Sequence, residues 1–329
     1  MSSQRDLLGE LVRAAGRRHE PPPGDYEHVL LAARTAWQRK VRARRRQRFV
    51  LALAAGLVIV LLAGATLFQW TLHRSPQFIA SAALRHGDAR VLLPDEVEWQ
   101  PLRVGLAMSA GTRVRTGFEG GAALELRNGT SIRLNHQSEI TFESQSVLRL
   151  ESGTMYADTR SRVPPDALRI DTPLGSIRDV GTVFEVKATY EAVRVRVREG
   201  RVRLEMTRTP SALEGHNGEE IEVGRNGEVT HRAFSPHDGE WSWAETLATT
   251  PDIEGRPLLQ FLTWVAHETG RQLMFDEPAT EAQARAVTLH GKAAKLPPLE
   301  ALDILLSTTD LEYVLRGDQV ILIRRRENP

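Results

Sequence analysis

None of the 329 residues is a cysteine. That absence excludes disulfide frameworks, Cys-ligated zinc, iron–sulfur clusters and thiol nucleophiles together, while leaving the redox compartment open. Lysine is scarce as well, 4 against 39 arginines, which reads as the habit of a GC-rich bacterial genome rather than as chemistry. With 25 glycines and 17 prolines the chain is neither collagen-like nor of low complexity. The ten histidines form no H-x-H or H-E-x-x-H; after His267-Glu268 the second histidine position is held by Arg271. There is no G-x-S-x-G elbow and no P-loop, and Gly175-Ser176 lies inside a strand pattern. His136 and Glu139 could pair, but a lone histidine in a strand-rich region is ordinarily a surface or packed residue. The roles an enzyme needs cannot be filled, so no catalytic residue, cofactor or metal is expected.

What is present points to a folded chain of two or three units: 41% hydrophobic and 26% charged residues over this length. The net charge of +1 hides a division. Residues 1–48 carry +7, residues 49–70 carry no charge, and residues 71–329 carry −6. From Phe49 to Phe68 run twenty uncharged residues, FVLALAAGLVIVLLAGATLF. At 1.5 Å per residue they extend about 30 Å, the thickness of a bilayer's hydrocarbon core. The spacing predicts a transmembrane helix over 49–70. A cleaved signal peptide would have a shorter head, a shorter apolar stretch and a small-x-small site directly after it. Seven basic residues at positions 39–48 precede this stretch, and the first one after it is Arg74. The positive-inside rule therefore predicts a single pass, with the N-terminus cytoplasmic and the C-terminal domains across the membrane; the family resemblance given below implies that this membrane is the inner one and that these domains are periplasmic. Trp70 falls where an interfacial aromatic is expected. Beside a span the arginine run is read as a topology signal and a contact with membrane lipid, with no direct nucleic-acid partner.

The head, 1–48, reads as two short helices around the PPPG at 21–24. Leu7, Leu8, Leu11 and Val12 fall on one face of the first; Tyr26, Val29, Leu30, Ala33 and Trp37 recur at helical spacing in the second. So short a segment buries little surface alone. These faces either pack on each other or the membrane, or bind a protein partner, for which Leu7, Leu8, Leu11, Val12 and Trp37 are the candidates.

After a linker at 71–82, residues 83–232 alternate at period two between glycine turns, as in ALELRNGTSIRL (123–134) and VRVRVREGRVRLE (193–205). In the latter, Val193, Val195 and Val197 alternate with Arg194, Arg196 and Arg198, the pattern of a strand with one wet face. Asn128-Gly129, Ser152-Gly153, Glu199-Gly200 and Asn226-Gly227 supply turns. An all-β sandwich, roll or β-helix is expected. A second linker is read at 233–248. From 249 to 329 the period changes: a helix from Pro257 through Leu258, Phe261, Leu262 and Val265 to Gly270, a strand at 272–275, another at 286–290, a helix from Pro298, and a hairpin over 312–324 turning at Gly317-Asp318. That order gives a small α+β unit of split βαβ design.

The stretch IDTPLGSIRDVGTVFEV at 170–186, followed by VRVREGRVRLE, resembles the core signature of the FecR family. The resemblance is carried by Thr172, Pro173, Gly175, Gly181, Thr182, Phe184, Val186, Glu199, Gly200 and Val202, with Gly111, Thr116, Gly117, Leu124, Leu126, Gly129 and Leu134 upstream. In physical terms these residues are structural: turns, a stiffened strand exit at Pro173, core positions at Phe184 and Val186, and at Gly181 a backbone position that tolerates no branched side chain. The tail is similar to the STN domain shared by secretins and TonB-dependent transducers, a docking module. Together the resemblances imply a regulator that couples a periplasmic or outer-membrane receptor signal to an extracytoplasmic-function sigma factor as an anti-sigma factor. The sigma factor would sit on the head, and a TonB-dependent transducer's signalling domain on the C-terminal unit. A non-enzymatic envelope scaffold built from the same domains is the alternative.

The charge division makes a direct prediction. A phosphatase reporter fused after residue 80 is expected to be active outside the cytoplasm, and activity only from a cytoplasmic reporter at that site would overturn the topology.

Overall fold

The computed structural model describes residues 78–326, except 161–166, 180, 209–211, 238 and 292–295, together with residues 13, 14 and 16. The candidate partner residues Leu7, Leu8, Leu11, Val12 and Trp37 and the predicted span at 49–70 lie outside the described residues. Among the described residues no helix is long and apolar enough to cross a membrane. By its contacts the chain divides at Ser75, and residues 76–329 form one compact unit.

Period-two alternation builds most of that unit, as expected of an all-β body, and the result is a two-sheet sandwich. The first sheet takes in strands Ala80–His86, Gly121–Leu126, Ser131–Leu134, Val183–Ala188, Ala192–Glu199, Glu219–Gly224 and Val229–Ala233. The second takes in Ala89–Leu92, Arg113–Thr116, Glu139–Phe142, Arg169–Thr172, Gly175–Asp179, Arg201–Met206 and Leu213–His216. One long strand, Val147–Asp158, belongs to both. Its first half pairs with Glu139–Phe142 and Arg169–Thr172, and beyond Ser152 it pairs with Ser131–Leu134 and Val183–Ala188. Successive hairpins alternate between sheets, so each layer needs the other to bury its apolar side. Leu124, Ile132, Phe184, Val195 and Val197 from one sheet and Val114, Ile140, Ile170 and Leu204 from the other join a single buried cluster.

The segment predicted to be a linker, 233–248, holds a 3-10 turn at Gly239–Trp241 and a short helix, α1 (Ser242–Thr246), with Trp241 buried. Beyond it, α2 (Leu258–Thr269) forms where the spacing predicts and ends at Gly270. Two elements differ from the sequence reading. A helix, α3 (Pro278–Ala286), fills a stretch with almost no apolar stripe; only Thr280 and Ala284 are buried, and Pro278 with the Glu281–Arg285 pair supports it locally. The strand expected at 286–290 shrinks to Thr288–Leu289, because Ala286 closes α3. The helix α4 (Pro298–Ser307) and the hairpin Leu311–Arg316 with Val320–Arg325 complete a second apolar cluster, separate from that of the sandwich. Strand Gln272–Phe275 adds to that hairpin in parallel.

The signature glycines separate two kinds of constraint. A Cβ at Gly175 would meet the carbonyl oxygen of Glu205 at 2.5 Å and the Cα of Met206 at 2.6 Å. Gly181 has φ of +70° and open space around it, so the intolerance of a branched side chain expected there is conformational and not steric. Gly181→Ala is expected to cost about 1–2 kcal/mol, with Gly181→Asn milder. Gly175→Ala should cost more, about 3 kcal/mol, because the facing strand must move as well. Urea unfolding of residues 76–329 checks the order; equal losses at the two positions would refute it.

A buried arginine junction as the candidate functional site

Pleating sends every second side chain of the first sheet away from the core. Because the strands are in register, those outward residues line up across five of them: Arg133 opposite Tyr156, Tyr156 opposite Glu185, Glu185 opposite Arg196, and Arg196 opposite Glu220. Opposite charges on neighbouring strands support one another. Arg196 Nε lies 2.5 Å from Glu220, and the neighbouring Arg194 lies 2.9 Å from Glu185.

This face is not wet, which corrects the reading of Arg194, Arg196 and Arg198 as a solvated row. Arg133, Arg196 and Arg198 are all buried, Arg133 at 3% exposure. The alternation marked the side they occupy; what covers it comes from much later in the chain. Trp241 packs edge-on to Tyr156 with ring centroids 5.9 Å apart, and the Trp243 indole donates to Glu185 at 3.1 Å. Glu240 reaches Arg196. Arg198 and Arg133 stack over Trp241 and Tyr156, at 5.1 Å and 4.9 Å.

The last turn of α2 closes the assembly. Glu268 meets Arg133 at 2.5 Å, and both are buried. Arg133 also donates to the Ala244 carbonyl at 2.8 Å. Arg198 donates to the carbonyl of Glu268 at 3.0 Å and to that of Thr269, and pairs with Glu245 at 3.2 Å. Arg198 thus supplies donors to the carbonyls at the end of α2, where they lack helical partners, and both arginines bring positive charge to the negative end of its dipole. At the rim, His267 Nε2 stands 3.3 Å from Asp158, which Arg160 holds at 2.8 Å.

Burial alone would push the Glu268 carboxyl up, but Arg133, aided by His267, holds it down at about 2. Burial works against the Arg133 charge, and Glu268 overcomes it, so Arg133 ends above its ordinary value. Burial raises the Tyr156 phenol to about 12. His237 is lowered, by burial first and then by Arg198. The charges of Glu268 and Arg133 are therefore fixed through the neutral range. Hydrogen bonding is less complete: Arg133 Nε, Arg198 Nε, the Tyr156 hydroxyl and the Trp241 indole nitrogen are buried without a partner among the described residues. Each such group costs about 1–3 kcal/mol. The apolar contact is small, confined to Tyr156, Val183, Trp241 and Ala244 with partly buried Phe234 and Trp243. Specific charge pairing with little apolar glue makes an interface that is well registered and separable.

The signature residues lie elsewhere in the sandwich and are not brought into one site. The Thr172 hydroxyl donates to the Gly175 carbonyl at 2.8 Å, closing the turn around Pro173. Phe184 and Val186 are in the core. Thr182 is tied to Thr159, its N–H donating to the Thr159 hydroxyl at 2.8 Å. Glu199 pairs with Arg160 at 2.6 Å, and Gly200 makes the following turn at φ +90°. Sequence reasoning missed Asp179, which accepts from Thr159 at 2.5 Å, from the Gly181 N–H at 3.1 Å and from the Leu168 N–H. Its position just before a positive-φ glycine was the available signal. Among the described residues no group of three or more acidic or histidine side chains is placed to hold a metal ion.

A family model described as FecR protein matches residues 112–203, within the sandwich. Two crystal structures of a candidate anti-sigma factor from Parabacteroides distasonis match this chain, at 16% and 17% identity. In each case 65% of this chain and 98% of that chain are covered, with a TM-score of 0.35. No curated protein matches the chain in sequence.

The junction yields a stability prediction with a sign. A carboxyl held at about 2, against its ordinary 4.5, stabilises the fold above pH 4.5 and loses that contribution as pH falls toward 2. For residues 76–329 the loss from this group is expected to be roughly 3 kcal/mol between pH 5 and 2, and Glu268→Gln should remove that part of the slope. Glu268→Ala at pH 7 should cost about 3–5 kcal/mol, because Arg133 is left buried and unpaired. Arg133→Met with Glu268→Leu should recover most of it. A double-mutant cycle by urea unfolding measures this; additive losses would refute the pairing.

Proposed function

We propose that the chain is a transmembrane regulator that carries a signal received outside the cytoplasm to a sigma factor inside it. The observation that carries this reading is the junction: a C-terminal α+β unit held on a β sandwich by buried charge pairs, with little apolar contact. The match of residues 112–203 to the FecR protein family supports it, as do the uncharged stretch at 49–70 and the basic flank before it.

In this reading an extracytoplasmic-function sigma factor is held by the head through Leu7, Leu8, Leu11, Val12 and Trp37. The signalling domain of a TonB-dependent transducer pairs with the C-terminal unit, 249–329, whose order of elements is similar to the STN domain. The junction then defines two states, docked and released. A receptor domain shifts the balance only by the difference between its affinities for the two, so an interface with incomplete hydrogen bonding is suited to being moved. A buried apolar interface of the same area would resist the shift.

Two measurements test the reading. Leu8→Asp with Leu11→Asp should abolish pull-down of a sigma factor while leaving membrane fractionation unchanged; unchanged capture would favour an envelope scaffold. Glu268→Ala, which loosens the junction, should change sigma-dependent transcription without inducer at unchanged protein level. No change would remove the junction from the signal path.

A further inference from the structure

Four turns of the sandwich converge on a pocket of about 480 Å³, at the mouth between the two sheets. Its floor is apolar, made by Leu174 of the signature turn with Met206 and Val223, the last two belonging to the sandwich core. Its wall is Tyr190, which is 71% exposed, with the Arg225 guanidinium stacked 4.0 Å above the ring. A second exposed arginine, Arg208, stands on the rim. Among the described residues neither arginine pairs with a carboxylate. The lining also holds one acid, Glu151, at its edge, 3.9 Å from an Arg149 that Glu143 binds at 2.7 Å; two cations therefore face one carboxylate in the pocket.

The turns are tied to one another through the backbone. The Thr207 N–H donates to the Leu174 carbonyl at 2.9 Å, and the Arg225 N–H donates to the Glu191 carbonyl at 2.7 Å. Tyr190 sits in a hairpin closed by the Thr189 N–H on the Ala192 carbonyl at 2.9 Å. The turns that carry the two arginines and the aromatic wall are therefore tied together before any ligand arrives, and the Arg225 guanidinium is held on the Tyr190 ring, which lowers the ordering cost of binding.

We propose that this pocket binds a carboxylate carried on a small apolar body. The two guanidiniums present planar donors that match a carboxylate, and the floor removes the attached apolar group from water. An inorganic anion would leave the floor wet, and a neutral apolar molecule would leave both cations without an acceptor. The volume suits a ligand of small-molecule size. The same chemistry is offered by a free carboxylic acid and by the C-terminal residue of a peptide. The site is independent of the regulatory reading above.

Calorimetry on the full-length chain tests it, with 4-phenylbutyrate and 4-phenylbutanamide as one pair of probes and a short leucine-terminated peptide, free or amidated, as the other. At least one acid should bind, with its amide weaker by about tenfold or more, the loss of one charge-assisted hydrogen bond. Phenylbutyrate binding assigns the free acid as a source, and free-peptide binding assigns a chain terminus; either supports the site. Arg208→Gln with Arg225→Gln should reduce acid binding about tenfold or more at unchanged melting temperature, and the Lys pair, which keeps the charge but not the planar fork, should bind more weakly than wild type and more tightly than the Gln pair. Equal binding of acids and amides, binding of no probe, or wild-type affinity in the Gln pair would overturn the proposal.

Discussion

A guanidinium taken out of water has to be met by an acceptor, and in this chain Arg133 is met by Glu268, 135 residues later. That requirement organises the unit. The strand carrying Arg133 fixes which side of the sandwich is covered, and the covering element must bring a carboxylate to one place. The segment at 239–246 and the last turn of α2 satisfy it together, with Arg198 serving the carbonyls that the helix end leaves open. Removing either ion strands the other, so the pair constrains both units at once.

Such a junction is a weak source of net stability. Buried ions lose hydration that their attraction barely returns, and well-packed apolar side chains of the same volume often do as well or better. What the ions add here is discrimination. An apolar patch accepts many dockings of similar energy, whereas the row from Arg133 to Glu220 accepts one register. The two apolar clusters on either side stay separate, so each unit keeps its own core whatever the state of the interface.

The parts of the fold that were legible in the sequence are those that local patterning specifies. Alternation marked the strands, Gly270 marked the end of α2, and Gly317-Asp318 marked the last hairpin. Patterning fails where the deciding contact is distant. Val193 to Glu199 shows which residues face away from the core, but nothing within it reveals that Trp241, Glu245 and Glu268 cover that side. The helix α3 escaped notice because it buries only Thr280 and Ala284, too few for a stripe. The FecR-like signature was legible as turns and core. Its anchor, Asp179, was not, since an aspartate two residues before a glycine carries little local signal and only the third dimension gathers Thr159, Leu168 and Gly181 around it.

The strand Val147–Asp158 has a mechanical consequence. In a sandwich whose layers meet only through side chains, interdigitated packing alone resists shear. Here one continuous backbone is hydrogen-bonded into the second sheet up to Ser152 and into the first beyond it. Sliding the layers would have to break ladders on both sides of that crossing at the same moment. Relative movement of the layers is therefore opposed by backbone pairing as well as by packing, and that crossing ties the two sheets into one mechanical piece.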